Sequence, residues 1–160
     1  MRAAPRAASA SPPESAASNA SGRLPTARRL RSPAQFVAVT SDPQALRAGR
    51  RWLSIAGRVQ ADGGDVPVRF GFTASRRHAR RAVDRNTVKR VLREAARRHI
   101  EELDAAAATS RSVDIVLRLK TAVPDRTALA RSAWKAALRA EADALLRQLA
   151  RRLRGADDSR

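Results

Sequence analysis

The chain has 160 residues, a formal net charge of +18 and no cysteine. The length allows one domain and a tail, and the missing cysteines exclude disulfides and thiolate metal sites, which favours a reducing cytoplasm. No apolar run approaches the ~20 residues that a membrane-spanning helix needs. Because self-repulsion of this size is tolerated where a polyanion neutralises it, nucleic acid is the first candidate partner and an anionic membrane surface the second.

The N-terminal region, residues 1–27, consists of Ala, Ser and Pro with scattered Arg. It has neither helical nor strand periodicity, and it has too little apolar bulk to offset the entropy cost of ordering, which predicts a disordered tail. An organelle transit peptide is the weaker alternative, because no apolar stripe runs through the segment. The folded domain is predicted to span residues 28–155, followed by a flexible C-terminus at residues 156–160.

A short helix and two strands are predicted next. Ser32 can cap a helix that has Pro33 in its first turn. Residues 52–59 and 66–74 alternate in the manner of strands, and the turn cluster ADGGD lies between them. This arrangement predicts an antiparallel hairpin.

Two helices and a third strand complete the predicted order. A helix is expected from Val83 to Leu103, with Asp84 as its cap or first-turn acid. The segment SVDIVLRLK, residues 112–120, reads as a strand, and a last helix is expected from Asp125 to Leu153, ended by Gly155. The order predicts a small α+β sandwich with helices over a sheet.

The helix that starts at Val83 concentrates its cations on one side. On a helical wheel the basic residues and one asparagine fall within roughly 140°; they are Arg85, Asn86, Lys89, Arg90, Arg93 and Arg97. An apolar stripe of Val88, Val91, Leu92 and Ala95 lies opposite and can pack on the sheet. Like charges four residues apart repel, whereas a solvated face normally mixes signs, so the pattern predicts a polyanion-binding face. The excess of Arg over Lys favours nucleic acid.

The segment SRRHARRAVDRNTVKRVLRE, residues 75–94, resembles the signature of the bacterial ribonuclease P protein component, in which basic residues lead into an Arg-Asn helix with a Lys-Arg pair. Further segments resemble the family in the same order, namely RLRSPAQF, RAGRRWLSIAGR, VRFGFTAS, VDIVLRLK and the helix with Trp134. The resemblance implies a small two-layer α+β sandwich of the ribosomal protein S5 domain 2-like type. Its sheet would be antiparallel-rich with an embedded strand-helix-strand crossover, which is left-handed in the family although such crossovers are generally right-handed.

The resemblance also implies a function and its partners. The family's protein binds a large catalytic RNA, and the holoenzyme removes the 5′ leader of precursor tRNA by magnesium-dependent hydrolysis. The RNA carries the catalysis, so no catalytic or metal-binding side chain is expected, and Mg²⁺ is expected to be held mainly by the RNA. The partners would be the ribonuclease P RNA and the precursor tRNA leader in the cytoplasm, with no membrane and no obligate protein partner.

Site residues follow from the resemblance by position. The RNA-binding residues would be Arg76, Arg77, Arg85, Asn86, Lys89, Arg90, Arg93 and Arg97. A cleft between the first helix and the sheet would hold the leader, with Phe36 and Trp52 as its aromatic residues, since rings stack on bases. The sequence departs from the family at Thr87, where a second arginine usually follows the asparagine, and at Thr40, where another aromatic residue is common.

The residues also bear on three other functions. A self-sufficient nuclease is disfavoured because His78 and His99 lie among arginines and the aspartates are dispersed, so no metal site or nucleophilic triad assembles. A structural RNA-binding protein of the ribosomal type fits the composition equally well and is the main alternative. A duplex-DNA binder could place the basic helix in a major groove, but no helix-turn-helix precedes that helix.

Overall fold

A computed structural model of the chain describes residues 23–107, 111–125 and 129–157. Within these ranges the elements are α1 (Pro33–Thr40), β1 (Leu46–Gly49), β2 (Leu53–Gln60), β3 (Val68–Thr73), α2 (Ala82–Ala106), β4 (Ser112–Leu119) and α3 (Arg131–Asp157). Residues 1–22 of the predicted tail, which was expected to span residues 1–27, and residues 158–160 of the predicted C-terminus at 156–160 lie outside the described residues.

The four strands form one mixed sheet in the order β1-β2-β4-β3. β2 is antiparallel to β1 and β4, whereas β3 runs parallel to β4. The predicted hairpin between β2 and β3 is therefore wrong, because β4 lies between them. All residues of β4 except Arg118 are buried, as befits a central strand, and α2 provides the crossover that a parallel β3–β4 pair requires.

The core lies mainly between the sheet and the two long helices. Alternate residues of β2 and β4, such as Ile55 and Leu117, join residues of α2 and α3 in this core, and Phe70 and Trp134 lie there too. The opposite face of the sheet carries a smaller cluster under α1, formed by Leu30, Val39, Ala56 and Val116 with Phe36 packed against it. The predicted α+β class, with an antiparallel-rich sheet and a strand-helix-strand crossover, is confirmed.

The helix ends follow local chemistry in some places and not in others. Ser32 caps α1 and Asp84 is a first-turn acid of α2, both as predicted, and Gln35 completes a reciprocal capping box with Ser32. α3 begins at Arg131 rather than Asp125 and continues through Gly155, because glycine ends a helix only when it adopts a cap conformation and otherwise costs about 1 kcal/mol inside one. None of the helices in the described ranges has the length and apolarity to cross a lipid bilayer.

The segment before α1 belongs to the fold, which corrects the predicted domain boundary at residue 28. Leu24 is 1% exposed and lies in the main core. The backbone N–H of Leu30 donates to the carbonyl of Phe70 at 2.8 Å, and Arg28 makes a bidentate pair with Asp104. The segment thereby covers the outer edge of β3, an edge that would otherwise present unpaired backbone groups.

Candidate nucleic-acid interface

α2 is divided lengthwise into an apolar and a basic side. The predicted stripe of Val88, Val91, Leu92 and Ala95 is at most 2% exposed, which confirms that it anchors the helix. Burying a valine or leucine side chain stabilises by about 1.5–3 kcal/mol, whereas each like-charge pair four residues apart costs only about 0.2–0.5 kcal/mol. The core therefore holds the cations in place despite their mutual repulsion.

The predicted RNA-binding residues of α2 differ in their exposure. Asn86, Arg90 and Arg97 are exposed, whereas Lys89 and Arg93 are half-buried at the margin of the same side. Arg85 is also half-buried, and its Nη1 donates to the carbonyl oxygens of Ala79 at 3.0 Å and Arg80 at 2.7 Å. Arg85 thus fastens the loop that precedes α2, in addition to adding its charge to this side.

Two further cations reach α2 from the segment before α1. Burial lowers the pKa of Arg93, and the neighbouring charges of Arg29 and Arg90 lower it further. A cavity of about 320 Å³ beside them is lined by Arg23, Leu24, Arg90, Arg93, Glu94 and Arg97. Such crowding of like charges indicates an anionic partner. The sequence prediction did not include Arg23 and Arg29 in this face. The one indication that their segment is folded was Leu24, the first leucine of the chain, which lies in the predicted tail.

The loop between β3 and α2 carries the other predicted basic pair. Arg76 and Arg77 are exposed in a turn in which the carbonyl of Ser75 accepts from the N–H groups of His78 and Ala79 at 3.2 and 2.9 Å. Ala79, 1% exposed, anchors this turn in the core. The turn therefore presents both arginines to solvent at the N-terminal end of the basic side of α2.

A cleft separates α1 from the open face of the sheet. Phe36 of α1 is half-buried over Gly71 of β3, where a Cβ atom would lie 2.5 Å from the ring atom Cε1. The cavity beside the ring measures about 310 Å³, and its lining includes Thr73, Ser75, His78, Val116 and Arg118. The structure thus places Phe36 in a cleft of the predicted kind.

The cleft continues along the sheet into a smaller cavity of about 110 Å³. Its floor is made of small side chains of β2, Ser54 and Ala56, and the exposed Arg118 of β4 lines both cavities. Arg118 was missed by the sequence prediction. The signal was available, because Arg118 alternates with the buried residues Leu117 and Leu119 and must therefore point to the other face.

The two positions that depart from the family show how the interface is altered locally. Thr40 lines the cleft, and its hydroxyl donates to the carbonyl of Phe36 at 3.0 Å, so this part of the wall is polar. Thr87 accepts a hydrogen bond from Nη2 of Arg131 at 3.0 Å. A guanidinium from α3 therefore lies beside the position at which the second arginine was missing.

Trp52 is not in this cleft, contrary to the prediction. It is 6% exposed and belongs to the main core on the α3 side of the sheet. The backbone N–H groups of Trp52 and Leu53 donate to Oε2 of Glu141 at 2.9 and 3.1 Å, and the guanidinium of Arg51 lies 4.7 Å over the indole ring. Its position immediately before β2 did not reveal which face of the sheet the ring would cover.

His99 forms a structural cluster with two carboxylates. His99, 7% exposed, lies between Glu102 at 3.2 Å and Asp143 at 3.0 Å. The hydrogen bond with His99, together with the charges of His99 and Arg154, lowers the pKa of Glu102. Within the described ranges, no three histidine or carboxylate side chains come together as a metal site.

Comparison with known proteins identifies the family. The chain matches the ribonuclease P family model over residues 24–150, which begins where Leu24 enters the core. It is 37% identical over 130 residues to the ribonuclease P protein component of Bordetella parapertussis, covering 80% of this chain and 96% of that protein. The chain belongs to the ribonuclease P protein family. The family's protein component from Yersinia enterocolitica is 36% identical over 102 residues, covering 64% of this chain and 76% of that protein.

Solved structures of ribonuclease P proteins share the fold. The protein from Thermotoga maritima superimposes with a TM-score of 0.54 at 20% identity, covering 75% of this chain and 96% of that chain. The protein from Staphylococcus aureus gives 0.52 at 15% identity, covering 76% and 94%. These structures show the shared fold, while the family model and the relatives confirm the family that residues 75–94 resembled.

Proposed function

We propose that the chain is the protein subunit of ribonuclease P. In this role it binds the catalytic RNA and the 5′ leader of precursor tRNA, and it supports the magnesium-dependent removal of that leader. The observation that carries the proposal is the division of α2, in a member of this family, into a buried apolar stripe and an exposed basic side.

The basic side of α2 would bind the catalytic RNA. Arg90 and Arg97 are exposed on it, and Arg93 is flanked by the charges of Arg29 and Arg90. Guanidinium groups bind phosphate oxygens through two parallel hydrogen bonds, and Asn86 adds a neutral donor and acceptor for a 2′-hydroxyl or a base edge. Folded RNA offers both kinds of group, so the crowded charges are neutralised when the complex forms.

The cleft under α1 would hold the single-stranded leader. The ring of Phe36 offers a surface on which a base can stack, and Arg118 supplies a cation for the backbone. The small side chains Ser54 and Ala56 leave room over the floor of the cleft.

Magnesium would be held by the RNA. In the part of the chain that the structure describes, no three carboxylate or histidine side chains gather as a metal site, and Asp84, Asp104 and Asp114 are each engaged by an arginine within 3.3 Å. Magnesium prefers oxygen ligands and often uses those of phosphates, which the RNA has in abundance. When bound there it supplies the hydrolytic chemistry, while the side chains of this chain bind and orient the two RNA molecules.

Reconstitution tests the proposal. The purified chain alone should leave precursor tRNA intact, whereas a bacterial ribonuclease P RNA at low magnesium should cleave it faster when the chain is added. Phe36→Ala should reduce affinity for precursor tRNA with a leader by about 1–3 kcal/mol, which is the value of one stacked base, and should leave affinity for leaderless tRNA unchanged.

The outcomes separate the proposal from its alternatives. Cleavage by the protein alone would establish a protein-only nuclease. RNA binding without any effect on processing would support the structural, ribosomal-type function. If Phe36→Ala reduced the affinity for precursor tRNA and for leaderless tRNA equally, the cleft would not be the leader site. The proposed contact with the catalytic RNA would then be the part of the proposal that stands.

A further inference from the structure

A cavity of about 420 Å³ lies where α2 and α3 begin. Four described segments line it, namely the loop of residues 77–81, the first turn of α2 at Asp84, the loop of residues 122–125 and residues 129–134 at the start of α3. It is distinct from the cleft under α1, although His78 lines both. Apart from Arg77, its lining has no part in the RNA contacts predicted from the sequence.

Positive charge dominates the lining of this cavity. Four arginines, Arg77, Arg80, Arg81 and Arg131, face two aspartates, Asp84 and Asp125. The side chains of Arg77, Arg80 and Arg81 are exposed, and among the described residues none of the three pairs with a carboxylate. Three neighbouring guanidinium groups repel one another, and a bound anion would offset this repulsion.

Arg131 is held in a fixed orientation at this cavity. Its Nη1 lies 3.3 Å from Oδ1 of Asp84, and its Nη2 donates to Oγ1 of Thr87 at 3.0 Å. A guanidinium has five N–H groups, so these two contacts orient the side chain and leave donors for a ligand. Because Asp84 and Thr87 belong to α2, these contacts tie the start of α3 to the first turns of α2.

Two further features of the lining suit an anion. α2 starts after Arg81, whose side chain makes no capping hydrogen bond, so the first N–H groups of the helix lack a side-chain acceptor there. Trp134 lines the cavity, is 2% exposed, and its Nε1 has no hydrogen-bond partner in the described structure. Buried indole N–H groups normally have an acceptor, so Trp134 keeps an unused donor next to this cavity.

We propose that this cavity is a second RNA-binding site, in which Arg80, Arg81 and Arg131 bind a backbone phosphate. The site rests on the proposed function, since it extends the RNA surface of α2 around its N-terminal end. The planar fork of arginine matches phosphate oxygens, and the adjoining α2 surface brings a phosphodiester to this position. Free inorganic phosphate has the same chemistry, so the experiment must distinguish it from an RNA backbone phosphate as the ligand of this site.

The experiment measures binding of the full chain to a bacterial ribonuclease P RNA at several monovalent salt concentrations. The variants are Arg80→Gln/Arg81→Gln, which alters only exposed side chains, and Arg131→Gln. Arg147→Gln, an exposed arginine elsewhere on α3, is the charge-matched control, and Lys89→Gln reports on the main RNA face. A thermal melt of each variant with and without inorganic phosphate accompanies the titrations.

We expect both cavity variants to weaken binding and to reduce the slope of log affinity against log salt by about 0.7–0.9 for the lost phosphate. Arg147→Gln should leave the slope unchanged. The proposal is overturned if Lys89→Gln reduces the slope and the cavity variants do not, or if the cavity variants lose only stabilisation by inorganic phosphate. If Lys89→Gln also has no effect, the proposed function itself fails.

Discussion

The ring of Phe36 fills the space between α1 and the sheet that a side chain at Gly71 would need. A Cβ atom at residue 71 would lie 2.5 Å from Cε1 and 2.8 Å from Cζ of the Phe36 ring. The glycine therefore sets how closely α1 approaches β3, and with it the width of the cleft proposed to hold the leader.

Replacing this glycine should disturb the cleft specifically. We expect Gly71→Ala to displace the Phe36 ring and to destabilise the fold by about 1–3 kcal/mol, as overpacking does. Gly155→Ala is the matched control, because nothing lies within 4 Å of the new methyl group and alanine favours a helix by about 0.5–1 kcal/mol. Urea unfolding measures both changes. A Gly71→Ala variant as stable as Gly155→Ala would contradict the close approach.

Arg85 and Arg90 should differ in what their loss affects. Arg90 is exposed, so Arg90→Gln should reduce the salt dependence of RNA binding by about 0.7–0.9 units of slope and leave stability unchanged. Arg85 donates to two backbone carbonyls, so Arg85→Gln should also lower the free energy of unfolding by about 1.5–3 kcal/mol. Salt titrations and thermal melts of the two variants make the comparison. Identical melting temperatures would show that Arg85 does not fasten the loop.

Glu102 should contribute to acid sensitivity. Its pKa is lowered in the folded chain, chiefly by the hydrogen bond with His99, whereas a free glutamate titrates near 4.3. The stabilisation is therefore complete above about pH 4.3 and is lost as the pH falls through the folded pKa. Glu102→Gln should flatten the decline of the urea midpoint with acid, whereas Glu101→Gln, at an exposed position, should not. Parallel curves for wild type and Glu102→Gln would refute this assignment.

The pair of Arg69 and Asp114 should be costly to break. Asp114 is 2% exposed and accepts two hydrogen bonds from Arg69, each of 2.8 Å. Asp114→Asn leaves the arginine without its counter-charge, and we expect a loss of about 3 kcal/mol, at the low end for buried pairs because Arg69 retains some solvent contact. The control is Arg58→Gln, which breaks a more exposed pair with Asp42 and should cost under about 1 kcal/mol. Equal losses in chemical denaturation would count against the difference in burial.

Local patterns were sufficient for much of this protein. The capping box at Ser32, the apolar stripe of α2 and the burial of Phe70 and Trp134 all follow from interactions between residues close in the chain or from strong periodicity. The basic side of α2 follows from the same periodicity. The family was recognisable because its motif, residues 75–94, occupies one continuous stretch.

Long-range contacts settled the remainder. Alternation in β2, β3 and β4 shows which side chains are buried. A strand alternates in the same way whichever strand it pairs with, so the pattern could not show that β4 lies between β2 and β3. Leu24 lacks periodic neighbours and is buried only because β3 and α2 lie beside it, and the ring of Trp52 covers the α3 side for the same kind of reason. A residue's own sequence neighbourhood specifies its conformation, whereas the surface that covers it is supplied by residues dozens of positions away.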